Sequence, residues 1–222
     1  MSDDVKSEPT RRQRKAIETR RRVLDSAERL FAGEGYVATT IAAIADDADV
    51  AVQTVYAIFG TKRAILTELL AARTVGDDLA GPLAARADWQ AMEQEPNAEQ
   101  QLAMLAAIAT KIGARMAGLY EVMAGAAGSD PEIADLLKKQ QLVRYRDQRR
   151  VARVLARRGQ LRRELAEVRA ADIIWAIANP RMYHTLVDDR GWTPDEYEQW
   201  LAKTLQNALL SNEGDERAMS GP

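Results

Sequence analysis

The stretch from Thr39 to Lys62, TTIAAIADDADVAVQTVYAIFGTK, constrains the fold more than any other part of the chain. Ile41, Ile44, Ala45 and Ala48 fall at i, i+3, i+4 and i+7, the spacing that gathers side chains on one face of a helix. Asp49-Val50-Ala51 interrupts it and is too short for anything but a corner between helices. Val52, Val55, Tyr56 and Phe59 then repeat the spacing, and Gly60 stops the second helix. Helices this short do not hold in water, because nucleation fixes several residues for each hydrogen bond gained. Both must pack on the amphipathic segment before them, where Ile17, Leu24, Ala27 and Phe31 share a face.

Val55 and Phe59 suffice to anchor the second helix, with Val50 filling the corner. That leaves Val52, Gln53, Thr54, Tyr56 and Ala57 as an outer surface without an acidic residue. Such a surface approaches phosphates unopposed, and a Gln side chain can bond the edge of adenine twice. Lys62 opens the next helix, where a cation and a positive helix end favour a phosphate. A plain three-helix corner with an idle outer face fits the same periodicity, since such corners also occur outside DNA-binding proteins.

The run Ala48 to Leu66, ADVAVQTVYAIFGTKRAIL, resembles the recognition-helix signature of the TetR (tetracycline-repressor-like) family of bacterial regulators. The matching marks are Val50 in the turn, Thr54-Val55-Tyr56, Phe59, and Lys62 followed by an apolar pair. Upstream, Ala27-Glu28-Arg29-Leu30-Phe31 with Gly35-Tyr36 and Thr39-Thr40 is similar to that family's first helix and its exit. Three positions depart from the pattern: Asp49 where Gly is usual, Ala51 where a capping Ser is usual, and Ile58 where His is frequent. Asp tolerates a left-handed turn, while loss of the Ser cap should weaken the recognition helix by about 1 kcal/mol.

The resemblance implies an all-α chain with an N-terminal three-helix helix-turn-helix DNA-binding domain and a C-terminal helical ligand-binding and dimerisation domain. It places base contacts at Gln53 and Thr54, with Val52 against a thymine methyl, and phosphate contacts at Thr40, Tyr56 and Lys62. The expected divisions are residues 1–10 (a disordered start), 11–60 (DNA binding), 61–87 (a connecting helix), 88–210 (ligand binding and dimerisation) and 211–222 (a disordered tail).

A net charge of −2 over 222 residues runs against a DNA-binding role until the asymmetry is seen. Arg11, Arg12, Arg14, Lys15, Arg20, Arg21 and Arg22 face only Glu18 in the same segment. A basic arm beside a helix-turn-helix suits phosphates or a minor groove, which adds Arg11, Arg12 and Arg14 to the DNA contacts. A solvated basic face fits the same composition. Without cysteine there are no disulfides and no thiolate chemistry. With no leader-like apolar segment or membrane-spanning run expected, a cytoplasmic, nucleoid-associated bacterial protein follows.

Thr10 with Gln13 predicts a capping box and a first helix to about Ala32. Thr61 can cap the connecting helix, which should reach about Leu83, loosened by Gly76 and Gly81-Pro82. Asp88 to Asn97 is polar, contains Pro96, and reads as a linker. From Asn97 on the periodicity is helical throughout, interrupted at Gly113 and at Gly125–Gly128. Ser129-Asp130-Pro131-Glu132 starts a long basic helix to Gly159, whose arginines would pair with Asp188, Asp189, Asp195, Glu196 and Glu198. Ala170 to about Val187 should be one helix kinked at Pro180, and Thr193-Pro194-Asp195-Glu196 caps the last.

The apolar character of these last two helices points to burial beyond one subunit, and the resemblance implies a two-fold four-helix bundle. Ile173, Ile177, Tyr197, Trp200, Leu201, Thr204, Leu205 and Ala208 are the expected dimer contacts. Met104, Met116, Tyr120, Met123, Tyr145, Arg149, Trp175 and Asn179 are candidates for a ligand chamber, since methionine and aromatic walls suit apolar molecules. Arg149 or His184 would meet a polar group.

No triad, phosphate loop, metal site or cofactor motif is legible, so the chain is expected not to be an enzyme. The function expected is a homodimeric transcriptional regulator, in the first place a repressor. It would bind a pseudo-palindromic operator and be released by a small, largely apolar effector. The alternative is a helical dimer that binds a small molecule or protein without sequence-specific DNA binding.

Overall fold

Thr10 starts the first helix with the capping box that its sequence predicts. Its hydroxyl accepts the Gln13 N–H at 3.3 Å, and the Gln13 side chain accepts the Thr10 N–H at 2.7 Å. The computed structural model describes residues 10–75 and 83–211, so the expectations for 1–9, 76–82 and 212–222 lie outside the described residues. No strand forms among the described residues, where the one extended pairing is an isolated bridge between Leu161 and Leu210. The chain divides into two units, Met1–Ala72 and Arg73–Pro222.

In the first unit, α1 (Arg11–Glu34) ends at Gly35 with φ 84°, a conformation that costs glycine little. It buries Val23, Leu24, Ala27 and Phe31 but nothing before Val23, so Ile17 is 61% exposed rather than part of the core face. The three short helices that follow bury only the second half of α1. They are α2 (Ile41–Asp47), α3 (Val52–Phe59) and α4 (Lys62–Val75). Thr40 caps α2 by accepting the Ala43 N–H at 3.0 Å.

Asp49 carries the corner at φ 51°, the single positive-φ residue other than glycine among the described residues. Ala51 gives α3 no side-chain cap. Val55 and Phe59 are buried; at roughly 1.5–3 kcal/mol each, they outweigh the ~1 kcal/mol lost with the cap. Ile65, Leu66, Leu69 and Leu70 of α4 are buried as well, so the helix expected as a connector belongs to this core as far as Ala72.

After the last residues of α4, the described part of the second unit continues with a 3-10 turn, Leu83–Ala85, followed by α5 (Ala87–Gln94), α6 (Ala98–Ala126) and α7 (Pro131–Arg157). It continues with α8 (Glu167–Ile177), α9 (Pro180–Tyr183) running into a π-helical turn at His184–Asp189, and α10 (Pro194–Leu209). The long helix α6 packs against α5, α7, α9 and α10. By length and composition α6 could cross a membrane, but Leu102, Leu105, Ala106, Ile108 and Ala117 lie in the core of this unit.

Four expectations change here. The segment taken for a linker contains α5, because Trp89 and Met92, one turn apart, are both buried anchors. Gly113 does not interrupt α6. It lets Tyr183 approach so closely that a Cβ there would stand 2.6 Å from the ring's Cγ. Pro180 does not kink a helix but begins one: Asn179, extended at φ −110° and ψ 134° as a residue before proline prefers, separates α8 from α9 and caps the latter.

The basic residues of α7 do not meet the C-terminal acids. Arg150 grips both oxygens of Glu93 at 2.9 Å, Arg149 and Arg153 each reach Glu167 at 3.5 Å, and Arg158 donates to the carbonyls of Glu93 and Glu95.

Candidate nucleic-acid interface and ligand cavity

Burial of Val55 and Phe59 turns the opposite side of α3 to solvent. Gln53, Tyr56 and Ala57 are exposed there, and Val52 and Thr54 are half-buried. Tyr56 keeps 53% of its surface. Thr40 is exposed beside its cap, and Arg11, Arg12 and Arg14 are exposed on the first turns of α1.

The neighbouring charges are largely committed within the unit. Arg22 donates to the carbonyls of Ala48 and Asp49 and to the Asp49 carboxylate at 3.1 Å, so one arginine of α1 clamps the turn. Arg20 holds Glu68 of α4 through two nitrogens and lies 5.1 Å from the centre of the Phe59 ring. Asp47 is bonded by Arg29 at 2.6 Å, and the Ser26 hydroxyl and Arg29 together keep its carboxyl below the usual range. These acids are turned to α1 and do not oppose a polyanion at α3.

Lys62 departs from its expected role. Its Nζ donates to the carbonyls of Tyr36 at 2.5 Å, Thr39 at 2.7 Å and Val37 at 3.2 Å, and lies 4.5 Å from the Tyr36 ring centre. An ammonium has three donors, and all three are used. Lys62 ties the α1–α2 loop to the start of α4, and offers a phosphate its field rather than a hydrogen bond. Its sequence gave no warning, because carbonyl acceptors leave no signature in residue types.

The second unit holds a partly open cavity of about 500 Å³ between Arg73 at the end of α4, the 3-10 turn, α6, α7 and Pro180. Ile112, Met116, Tyr120, Val143 and Leu83 supply apolar wall, and Arg73, Arg86, Arg115, Arg144, Arg146 and Arg150 supply charge against Asp147. Arg144 is held by the carbonyls of Trp175 at 2.8 Å and Ala178 at 3.1 Å, with its guanidinium 4.8 Å from the Trp175 ring centre. Burial holds its pKa below the ordinary arginine value, with Tyr120 pulling the other way. Burial and the nearby Arg115 depress Arg86 in the same way.

Of the expected ligand contacts, Met116 and Tyr120 line this cavity. Met123 is buried, and Met104 packs against the core. Tyr145 donates to Asp172 at 3.1 Å, Arg149 pairs with Glu167, Trp175 stacks under Arg144, and Asn179 caps α9. Arg144, five residues before the arginine expected, lines the cavity instead; its carbonyl partners across the unit could not be read locally. His184 is paired with Asp188 at 2.7 Å on the π-helical turn.

Tyr197, Leu201 and Leu205 are buried within their own unit and cannot cover a partner. Ile173, Ile177, Trp200, Thr204 and Ala208 are half-buried.

Residues 23–69 match the family described as bacterial regulatory proteins, tetR family. The first unit is a tetR-family DNA-binding domain. That match runs from the first buried residue of α1 to Leu69 of α4, so it covers most of the core described above. Comparison with curated protein sequences gives no match.

Solved structures resemble the chain over most of its length. The MbdR regulator from Azoarcus sp. CIB is 20% identical with a TM-score of 0.68, over 87% of this chain and all of that one. A putative transcriptional regulator from Saccharomonospora viridis in complex with choline is 21% identical with a TM-score of 0.65, over 88% and 100%. The transcriptional regulator FadR from Bacillus subtilis in complex with stearoyl-CoA is 18% identical with a TM-score of 0.65, over 85% and 98%. At these identities the likeness establishes the fold alone: a helical N-terminal unit followed by a larger helical region.

Proposed function

We propose that this tetR-type transcriptional regulator is a homodimeric repressor that binds a pseudo-palindromic operator and leaves it when a small molecule occupies the second unit. The observation that carries the proposal is the outer face of α3: Gln53, Thr54 and Tyr56 offered to solvent with no acid among them. Two such helices related by a two-fold axis fit successive major grooves. Gln53 reads an adenine edge, Thr54 a second base, and Val52 a thymine methyl. Thr40, Tyr56 and the start of α1 hold the backbone.

Release follows if an effector binds best to the form whose recognition helices are misplaced for DNA, since a ligand moves an equilibrium only through its differential affinity. The cavity is of the size that takes drug-sized molecules. Two of the structural relatives were solved with small molecules, choline and stearoyl-CoA, which supports an effector-responsive role here. Dimer contact falls to the half-buried edge of α8 and α10, with Ile173, Ile177, Trp200, Thr204 and Ala208.

Selection of random duplex DNA by the purified protein at physiological salt tests this function. Enrichment of an inverted repeat with half-sites about one helical turn apart is expected. Failure to enrich any sequence, with residual binding lost at modest salt, would count against α3 as a sequence reader.

A further inference from the structure

The cavity of the second unit is not the neutral, methionine-rich chamber that an apolar effector would favour. Six arginines line it with one carboxylate, Asp147. Arg150 is paired with Glu93, and Arg146 with Asp147 at 3.7 Å. Arg144 differs from both. Its two carbonyl bonds and the Trp175 ring orient the guanidinium without cancelling its charge. Among the described residues, no carboxylate is paired with it. Arg115 likewise donates to a backbone carbonyl, that of Lys111 at 3.1 Å, and is paired with no carboxylate among the described residues.

Neither the buried Arg144 Nε nor the buried Tyr120 hydroxyl has a partner in direct hydrogen-bond geometry, and the two side chains lie close enough to act on each other electrostatically. A buried cation with an unused N–H is costly unless an anion completes it. Apolar wall from Ile112, Met116 and Val143 stands beside this charge.

We propose that the cavity takes an amphipathic anion: a carboxylate carried on an aliphatic or aryl body, its oxygens on Arg144 and the Tyr120 hydroxyl and its body against Ile112 and Met116. An arginine fork matches a carboxylate in geometry as well as charge. A choline-like cation is excluded from the same place by the arginines. This assignment rests on the effector-responsive function above, and names the chemistry of its ligand.

Calorimetric titration of the full chain with matched pairs decides it: octanoate against octanamide, and 4-phenylbutyrate against 4-phenylbutyramide. Each acid should bind at least about 10-fold more tightly than its amide, the gap expected for a charge-assisted bond. Arg144→Gln should bring each pair to near equality, and Tyr120→Phe should narrow the gap without closing it. The wild-type comparison needs no variant to fold. Equal affinities, preference for the amides, a gap that survives Arg144→Gln, or no binding by any of the four would each overturn the assignment.

Repeating the titration in the presence of a selected duplex separates the two levels of the argument. An acid that binds without releasing DNA leaves the anion site standing and removes the effector linkage. Release by the amide alone does the reverse.

Discussion

On the outer face of α3 no charge is desolvated: Gln53 and Tyr56 stand in solvent, and the arginines of α1 are either wet or tied to surface carboxylates. In the second unit Arg144 lies against Trp175 with its charge uncancelled, and burial presses its pKa down. The difference follows from the ligand each region suits. A duplex brings many phosphates to a broad surface, where wet cations suffice and like-signed acids must be kept away. A small molecule brings one or two charges, so its partner must be placed once, dry and unopposed. Lys62 is the crossing point between the two modes, a cation beside the DNA face whose donors are spent inside the fold.

The largest expected effect tests that crossing point. Lys62→Met removes three bonds from a charged donor and leaves three carbonyls to be resolvated. It should lower the stability of the DNA-binding unit by about 3 kcal/mol, measured by thermal or urea unfolding, with the salt slope of DNA binding little changed. A slope reduced by about one with unaltered stability would return Lys62 to the phosphates and erase the contrast.

Gly113→Ala should come next, at about 2 kcal/mol of destabilisation. Overpacking against the base of the Tyr183 ring exceeds the helix-propensity gain of about 1 kcal/mol. The control is Gly118→Ala in the same helix, where nothing lies within 4 Å and the propensity gain should appear with the opposite sign. Because Pro180, three residues before Tyr183, closes the cavity wall, Gly113→Ala should also weaken carboxylate binding. Unchanged binding would mean that the cavity tolerates a shifted α9.

Gln53→Ala should cost about 1–2 kcal/mol at one operator position and little elsewhere, measured by competition among single-base variants of the selected site. A uniform loss across all variants would make Gln53 a backbone contact and leave the α3 face without its base reader.

The smallest effect concerns Asp147, the one acid of the cavity lining. Burial raises its carboxyl above the ordinary range despite Arg146 and Arg150. The folded protein therefore takes up this proton before the unfolded chain does, and ionised Asp147 subtracts from stability above the folded pKa. Asp147→Asn should unfold at a slightly higher temperature at neutral pH, about 2 °C or less, and lose that lead as pH falls through the carboxylate range. A lead that persists in acid would assign the effect to something other than ionisation.

The helix-turn-helix was legible because its information is local. The spacing of Ile44, Ala45, Val55 and Phe59 dictates which sides are buried, and Gly35, Asp49 and Gly60 mark the turns. The capping boxes at Thr10 and Thr193 are local for the same reason. What escaped the sequence depends on distant partners. Gly113 looks like a helix breaker until Tyr183 is laid over it. Trp89 and Met92 sit in a polar segment whose helix exists because both have a core to enter. Arg144 and Arg149 are alike in sequence and differ only in what lies across from them: two carbonyls and a tryptophan for one, Glu167 for the other. The apolar stripe of α10 likewise could not say which of its residues its own unit would consume.

The clamp of Arg22 on the corner between α2 and α3 has a practical corollary for anyone who wishes to retarget the protein. The carbonyls of Ala48 and Asp49 are gripped from a helix 26 and 27 residues earlier in the chain, and the far end of α3 is backed by Arg20 over Phe59. A chimera that transplants only the corner and its reading helix would leave both supports behind. The smallest portable cassette runs from Arg20 to the last buried leucine of α4, Leu70, and exchanges made at those joints carry their own scaffolding with them.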